Sequence, residues 1–407
     1  MRPCLSLALF VALFSCGPGE VPAVPAREGA APKAQAGTPA APSAPVQLLP
    51  VAPALAQAAP LPPPVVYPAP DWRTGAPQAN GIDPLALENA ATVASGDGSY
   101  CLLVIRHGTL VFERYFNGAS ASDTHSSWSI AKSYSSVLAG IALDRGEFHS
   151  LDQSVADFVP AYRNTPRAAI TLRHLLTMTS GLKWSALDDY LGMATFASDQ
   201  TQFALKVSAA DAPGIKWTYD NEAVQVLEAV FRAATGMTVE QYTQAHLWSA
   251  LGMNARWKHD SVGNPTTYAN VLATCRDHAR FGYLLLHHGA WALSQVVSRA
   301  YLAQALAPSQ PMNRAYGNLF WLNGATPAMD AMMQPWPGRM VPFAPPDLFA
   351  ARGFGNQFID VIPSLDLIVV RFGTDPMANL DLNARAVDAR FTKHDDILEP
   401  LLRGVSP

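Results

Sequence analysis

Ser129-Ile130-Ala131-Lys132 sets a hydroxyl and an amine three residues apart, at the start of a segment with helical periodicity. Three residues is close to one helical turn, so both side chains share a face. A serine hydroxyl is a weak nucleophile at neutral pH, and a desolvated lysine beside it accepts its proton. The positive end of a helix also favours developing negative charge. This spacing points to acyl transfer.

The same tetrad recurs at Ser180-Gly181-Leu182-Lys183, where the glycine argues against a helix starting at that point. There the segment 175–181 reads as a helix ending at a glycine cap. Around Ser129 the context differs. Ser126 and Ser127 are candidate N-caps, Val137, Leu138, Ile141 and Ala142 form an apolar stripe, and Gly146 is a stop signal. Local context alone leaves two readings of Ser129 open, a catalytic hydroxyl or an ordinary cap.

The chain has 407 residues, 49% hydrophobic and 15% charged, which is enough to bury a large core. A net charge of -4 without a basic run argues against nucleic acid as a partner. At the N-terminus, Arg2 precedes the short apolar run 5–14, too short to span a bilayer. Leu13-Phe14-Ser15-Cys16 then resembles a bacterial lipobox, which implies cleavage before Cys16 and lipidation of its thiol. Phe14 departs from the usual pattern, and a plain secretory signal is the alternative. Residues 1–16 are thus expected to be a signal peptide. The Pro/Ala-rich stretch 17–70 cannot bury a core and is expected to be a disordered tether, with a folded domain over 71–407. The protein is expected to be exported to the periplasmic side and held at a membrane through Cys16.

Outside the export segment remain Cys101 and Cys275. A disulfide suits an exported chain, but both lie in apolar contexts, and two free buried thiols are expected. No Cys or His cluster has metal-ligand spacing, and no cofactor is implied; His287 and His288 read as surface residues at a helix end.

Runs 101–105 and 109–116 read as a hairpin turning at Arg106-His107-Gly108. Helical patterns follow at 129–145, 172–178, 222–234, 239–251 and 276–288, and strands at 349–353, 357–362 and 367–372. The expected fold is α/β of the α+β type. One antiparallel sheet is built from N- and C-terminal segments and flanked by helices, with a helical region inserted in the middle.

An acyl-transfer site also needs a proton relay and an oxyanion hole. Tyr-x-Asn triplets occur at Tyr219-Asp220-Asn221, Tyr268-Ala269-Asn270 and Tyr316-Gly317-Asn318. The first stands out, because it follows Pro213-Gly214 and precedes an amphipathic helix.

These segments come in order with Ser127-Trp128-Ser129-Ile130-Ala131-Lys132-Ser133 and the stretch Ile170 to Gly181. Arg276-Asp277-His278-Ala279-Arg280-Phe281-Gly282 and Gly353-Phe354-Gly355-Asn356-Gln357 follow. Together they resemble the serine β-lactamase-like superfamily of class C and penicillin-binding type, in particular its aminohexanoate-oligomer hydrolase and esterase branch. The resemblance implies a β-lactamase/transpeptidase-like fold and an acyl-enzyme on Ser129, with Lys132 as base. Tyr219 would be the proton donor to the leaving group, and Asn221 would contact substrate or orient Lys132. It implies an oxyanion hole at the Ser129 and Phe354 N–H groups beside Gly353, and core packing for His174. Trp184, Asp188, Asp189 and Tyr190 would overhang the cleft as candidate substrate contacts, the alternative being an ordinary loop of the helical region with one packed aromatic.

Where many relatives carry Lys-Thr-Gly, this chain has Ala351-Arg352-Gly353. Arg352 either substitutes for the lysine or, by strand alternation, is a solvated charge on the outer face. The missing lysine disfavours β-lactams. The resulting expectation is a hydrolase of small esters or amides. β-lactamase or D,D-peptidase activity and a non-catalytic binding lipoprotein are the alternatives.

Overall fold

The computed structural model describes residues 65–68, 70–374 and 392–406. The expected signal segment, Cys16 and most of the expected tether lie outside these residues. The described residues include Tyr67, ahead of Asp71. Tyr67 packs against Tyr283, His287 and Trp291, and the Val66 carbonyl accepts from the Tyr283 hydroxyl at 2.9 Å.

The architecture centres on a seven-stranded sheet. Its order is Arg73–Thr74, Thr109–Tyr115, Ser99–Arg106, Leu367–Gly373, Gln357–Ile362, Phe349–Gly353, Trp321–Leu322. All neighbours are antiparallel except the first pair. The hairpin turns at His107 and Gly108, both at positive φ, the geometry that matches strand twist. Strand Ser99–Arg106 lies centrally because Leu102 to Ile105 are apolar on both faces. It pairs with Leu367–Gly373 from the far end of the chain, as the sequence implied. The ends of the folded part are joined again where Asp83 N–H donates to Gly404 O at 2.9 Å and Arg106 Nη2 to the Ser406 carbonyl.

Helices cover both faces. Cys275–Leu286 packs on one, where Gly282 lets Ile359 and Ile368 approach; a Cβ there would sit 2.8 Å from Ile359. Pro84–Gly96 and Thr392–Arg403 pack together on the other. The middle of the chain supplies helix Ile130–Asp144, helix Asn221–Thr235 and a small sheet ordered Thr124–Ser126, Val271–Thr274, Ala255–Trp257. Among the described residues no helix is long and apolar enough to cross a membrane.

Three expectations are corrected. Cys101 and Cys275 form a disulfide, not two thiols, with their Cα atoms 6.7 Å apart. Both residues are buried, and it pins the first residue of helix Cys275–Leu286 to the central strand. Helix Leu172–Leu176 ends well before Gly181. Gly181 instead takes φ +71° where a Cβ would lie 2.3 Å from the Asp211 carbonyl. His174 is a capping residue and not core packing: its Nδ1 accepts from Thr171 N–H at 3.1 Å, completing a capping box.

Candidate active site

Ser129 stands at the N-cap position of helix Ile130–Asp144, yet its side chain caps nothing. Ser126 and Ser127 are not the caps either. Ser126 Oγ donates to Asn270 Oδ1, and Ser127 Oγ accepts from Val271 N–H at 2.8 Å. The Ser129 hydroxyl is therefore free of backbone duty, and Lys132 Nζ lies 2.9 Å from it.

The turn that presents Ser129 is held under tension. Trp128 takes φ +48°, a left-handed conformation a bulky residue adopts only when its surroundings impose it. Asn270 imposes it: its Oδ1 accepts from Trp128 N–H at 3.0 Å, and its own N–H donates to Trp128 O at 3.0 Å. Gly353 presses on the same turn, where a Cβ would come within 2.3 Å of Ser127 O and 3.2 Å of Ser129 N. Phe354 follows with its ring edge-on to Trp128 at 5.3 Å. The sheet edge and the helix start thus converge on the Ser129 N–H.

Lys132 is 1% exposed. Besides Ser129, its Nζ donates to Asn221 Oδ1 at 2.6 Å and to the Tyr268 carbonyl at 2.9 Å. Burial pushes its pKa down to about 7, against the pull of Asp189 and Asp220. A neutral amine keeps two N–H donors and one lone pair. Asn221 and Tyr268 offer only acceptors to the donors, so the lone pair is left for the Ser129 O–H.

The Tyr219 ring lies 4.8 Å from Lys132 Nζ and stacks on Trp321 at 5.8 Å, with Trp217 and Tyr316 around it. Burial pushes its phenol well above the usual range, while a hydrogen bond with Ser129 opposes the shift. The phenol therefore stays protonated at neutral pH.

Asn221 opens helix Asn221–Thr235, whose N-cap Asp220 accepts from Ala223 N–H at 2.9 Å. Asp189 meets it from a helical segment, Leu187–Phe196, wound with i→i+5 bonds, and Trp184 lies just before that segment. Asp189 is 0% exposed. Its Oδ2 accepts from Trp184 Nε1 at 2.8 Å and from Asn221 N–H and Nδ2, each at 3.2 Å. Tyr190 is partly buried beside Tyr219 and Asp220.

Arg352 corrects a further expectation. It turns away from Ser129, as strand alternation requires, but is buried rather than solvated, with Nη2 3.4 Å from His394 Nε2 under helix Thr392–Arg403. Ala351 takes the opposite face, paired with Ile359.

Two contributors were passed over in the sequence, the Tyr268 carbonyl and Asn270. They belong to the second Tyr-x-Asn triplet, and Tyr316 of the third packs on Tyr219. The repeated triplet was the available signal. The helix required after it was the wrong filter, because a backbone carbonyl needs no helix to position it.

A family model described as Beta-lactamase matches residues 90–390, and the chain belongs to that family. A 6-aminohexanoate-dimer hydrolase of Paenarthrobacter ureafaciens is 24% identical over 223 residues, 50% of this chain and 56% of that protein. The chain thus aligns with only about half the length of this curated relative. Among solved structures, a presumed 6-aminohexanoate-dimer hydrolase from Bacillus anthracis superposes with a TM-score of 0.61 at 20% identity, covering 77% of this chain and 82% of that one. EstCE1, a hydrolase with promiscuous acyltransferase activity, gives 0.59 at 14%, covering 78% and 99%. At these identities the structures establish the shared fold.

Proposed function

We propose that this protein is an exported serine hydrolase that cleaves small esters or amides through an acyl-enzyme on Ser129. The observation that carries the reading is the buried Lys132, 2.9 Å from a serine hydroxyl that caps nothing. Ser129 Oγ attacks the carbonyl carbon as its proton passes to Lys132. The N–H groups of Ser129 and Phe354 stabilise the oxyanion, and the leaving group takes a proton from Tyr219. Water then attacks the acyl carbon, giving its proton to the Tyr219 phenolate, and Ser129 leaves with the proton returned by Lys132. Names borne by similar proteins, a 6-aminohexanoate-dimer hydrolase and a hydrolase with promiscuous acyltransferase activity, fit this substrate class.

Intact mass after treatment with a fluorophosphonate, and separately with benzylpenicillin, tests it. The expected result is one fluorophosphonate adduct on Ser129, no stable penicillin adduct and no penicillin turnover. Ala351 stands where a lysine would face a β-lactam carboxylate, and Arg352 is turned away. Absence of the fluorophosphonate adduct overturns the reading. A penicillin adduct moves it to the penicillin-binding side.

Export and lipidation of Cys16 are part of the proposal. The Cys101–Cys275 disulfide supports export, since such bonds persist in oxidising compartments. Cys16→Ser should shift the exported protein from the membrane to the soluble fraction on fractionation; unchanged membrane retention sinks the anchor.

A further inference from the structure

We propose that Asp189 is a positioning residue for this site, gripping Asn221 so that the amide oxygen, and not the amide nitrogen, faces Lys132. The inference rests on the hydrolase reading above and adds to it a residue that never touches substrate.

An asparagine side chain presents an acceptor at one end and donors at the other, and its partners decide which way it points. Asn221 lies between opposite demands. Lys132 Nζ approaches one end at 2.6 Å with N–H groups to donate. Asp189 Oδ2 accepts at the other, at 3.2 Å from Nδ2, and takes the Asn221 backbone N–H at the same distance. One carboxylate oxygen thus holds both the main chain and the side chain of the residue that orients the lysine. The rotated amide would set N–H against N–H at Lys132 and oxygen against oxygen at Asp189.

The burial of Asp189 is costly. Its second oxygen, Oδ1, has no hydrogen-bond partner among the described residues. Burial raises its pKa despite the bonds from Trp184 and Asn221 and the nearby Lys132. An apolar residue of similar volume would satisfy packing at lower cost, so packing does not account for a carboxylate here. A grip on Asn221 does.

Asp189 also faces other titratable groups: Asp220 and Glu222 on the following loop and helix start, Tyr190 on its own segment, and Tyr219 and Tyr268. Of the charged groups around it, Lys132 is the one whose titration governs attack by Ser129. Asp189 raises the Lys132 pKa against burial. Removing that charge without removing the volume should let the lysine titrate lower.

The test measures the rate of Ser129 labelling by a fluorophosphonate across about pH 5.5 to 9. It compares full-length wild type, Asp189→Asn, Asp189→Ala, Asn221→Ala and the Asp189→Ala/Asn221→Ala double variant. The Lys132 Cε resonance is followed in parallel in unreactive Ser129→Ala protein with and without Asp189→Asn. Asp189→Asn should move the Lys132 titration and the acidic limb of labelling down by roughly one pH unit. Asp189→Ala should slow labelling about a hundredfold at its plateau. In the Asn221→Ala background the same change should cost no more than about threefold, because the grip then has nothing to hold. Losses that simply multiply, or a Lys132 titration unmoved by Asp189→Asn, overturn the proposal. Should Asp189→Ala fail to fold, the near-isosteric Asp189→Asn titration decides alone. Wild type that resists labelling would overturn the hydrolase reading instead, and the resonance would still report whether Asp189 acts on Lys132.

Discussion

Ser129→Ala protein loses turnover of a short-chain aryl ester by roughly three orders of magnitude or more while keeping its fold. The stability result is as telling as the kinetic one. Ser129 occupies an N-cap position, and loss of a working serine cap typically costs about 1 kcal/mol. Because the side chain makes no cap bond, the unfolding free energy should change by no more than an ordinary surface substitution, within about 0.5 kcal/mol. Activity lost with stability kept identifies a nucleophile. Stability lost with activity kept would return Ser129 to the capping role that its sequence context also allows.

Lys132→Met is the second large effect, a fall of about a thousandfold in kcat/KM at pH 8. Its pH signature separates loss of a base from loss of packing. The reactive form of Lys132 is the neutral amine, and its pKa lies near about 7. Wild-type kcat/KM should therefore rise with pH through about 7, and the residual activity of Lys132→Met should lack that limb. Stability follows from the same depression. Between about 7 and the ordinary lysine value the unfolded chain binds the proton that the folded chain has released, so wild-type stability climbs with pH over that window. Below it the buried charge is fully penalised. The methionine variant should compare best with wild type near pH 6 and lose ground toward pH 9, as read by denaturant unfolding. A wild-type profile flat from pH 6 to 8 would exclude Lys132 as the base.

Much of this was legible in the sequence for a physical reason. The first hairpin and the last three strands have strong apolar runs broken by turn residues, and they fall where expected. Ser129, Lys132, Tyr219 and Asn221 were legible because local spacing places the first pair on one helix turn and a loop-to-helix junction presents the second. Contacts made by the backbone or across long separations were not. The Tyr268 carbonyl carries no side-chain signature. Asp189 was visible as an acid on an overhanging loop, but its burial against Asn221 depends on how Leu187–Phe196 winds. The disulfide was misread because apolar flanks suit a buried thiol and a buried bridge equally.

The central strand Ser99–Arg106 takes one neighbour from the adjacent hairpin and the other from Leu367–Gly373. The nearby bond from Arg106 to Ser406 spans 300 residues of sequence. Non-local pairing of this kind makes assembly slow, because the loop-closure entropy must be overcome before the strands reward it. Until the last strands arrive, the apolar hairpin carries an open edge, the kind of surface that seeds aggregation. A chain cut short before Leu367 would therefore lose its central pairing along with its tail, and the serine helix would have no completed sheet to rest on. The reactive turn at Ser129 becomes a site only when Asn270, Gly353 and the strands after it close against it.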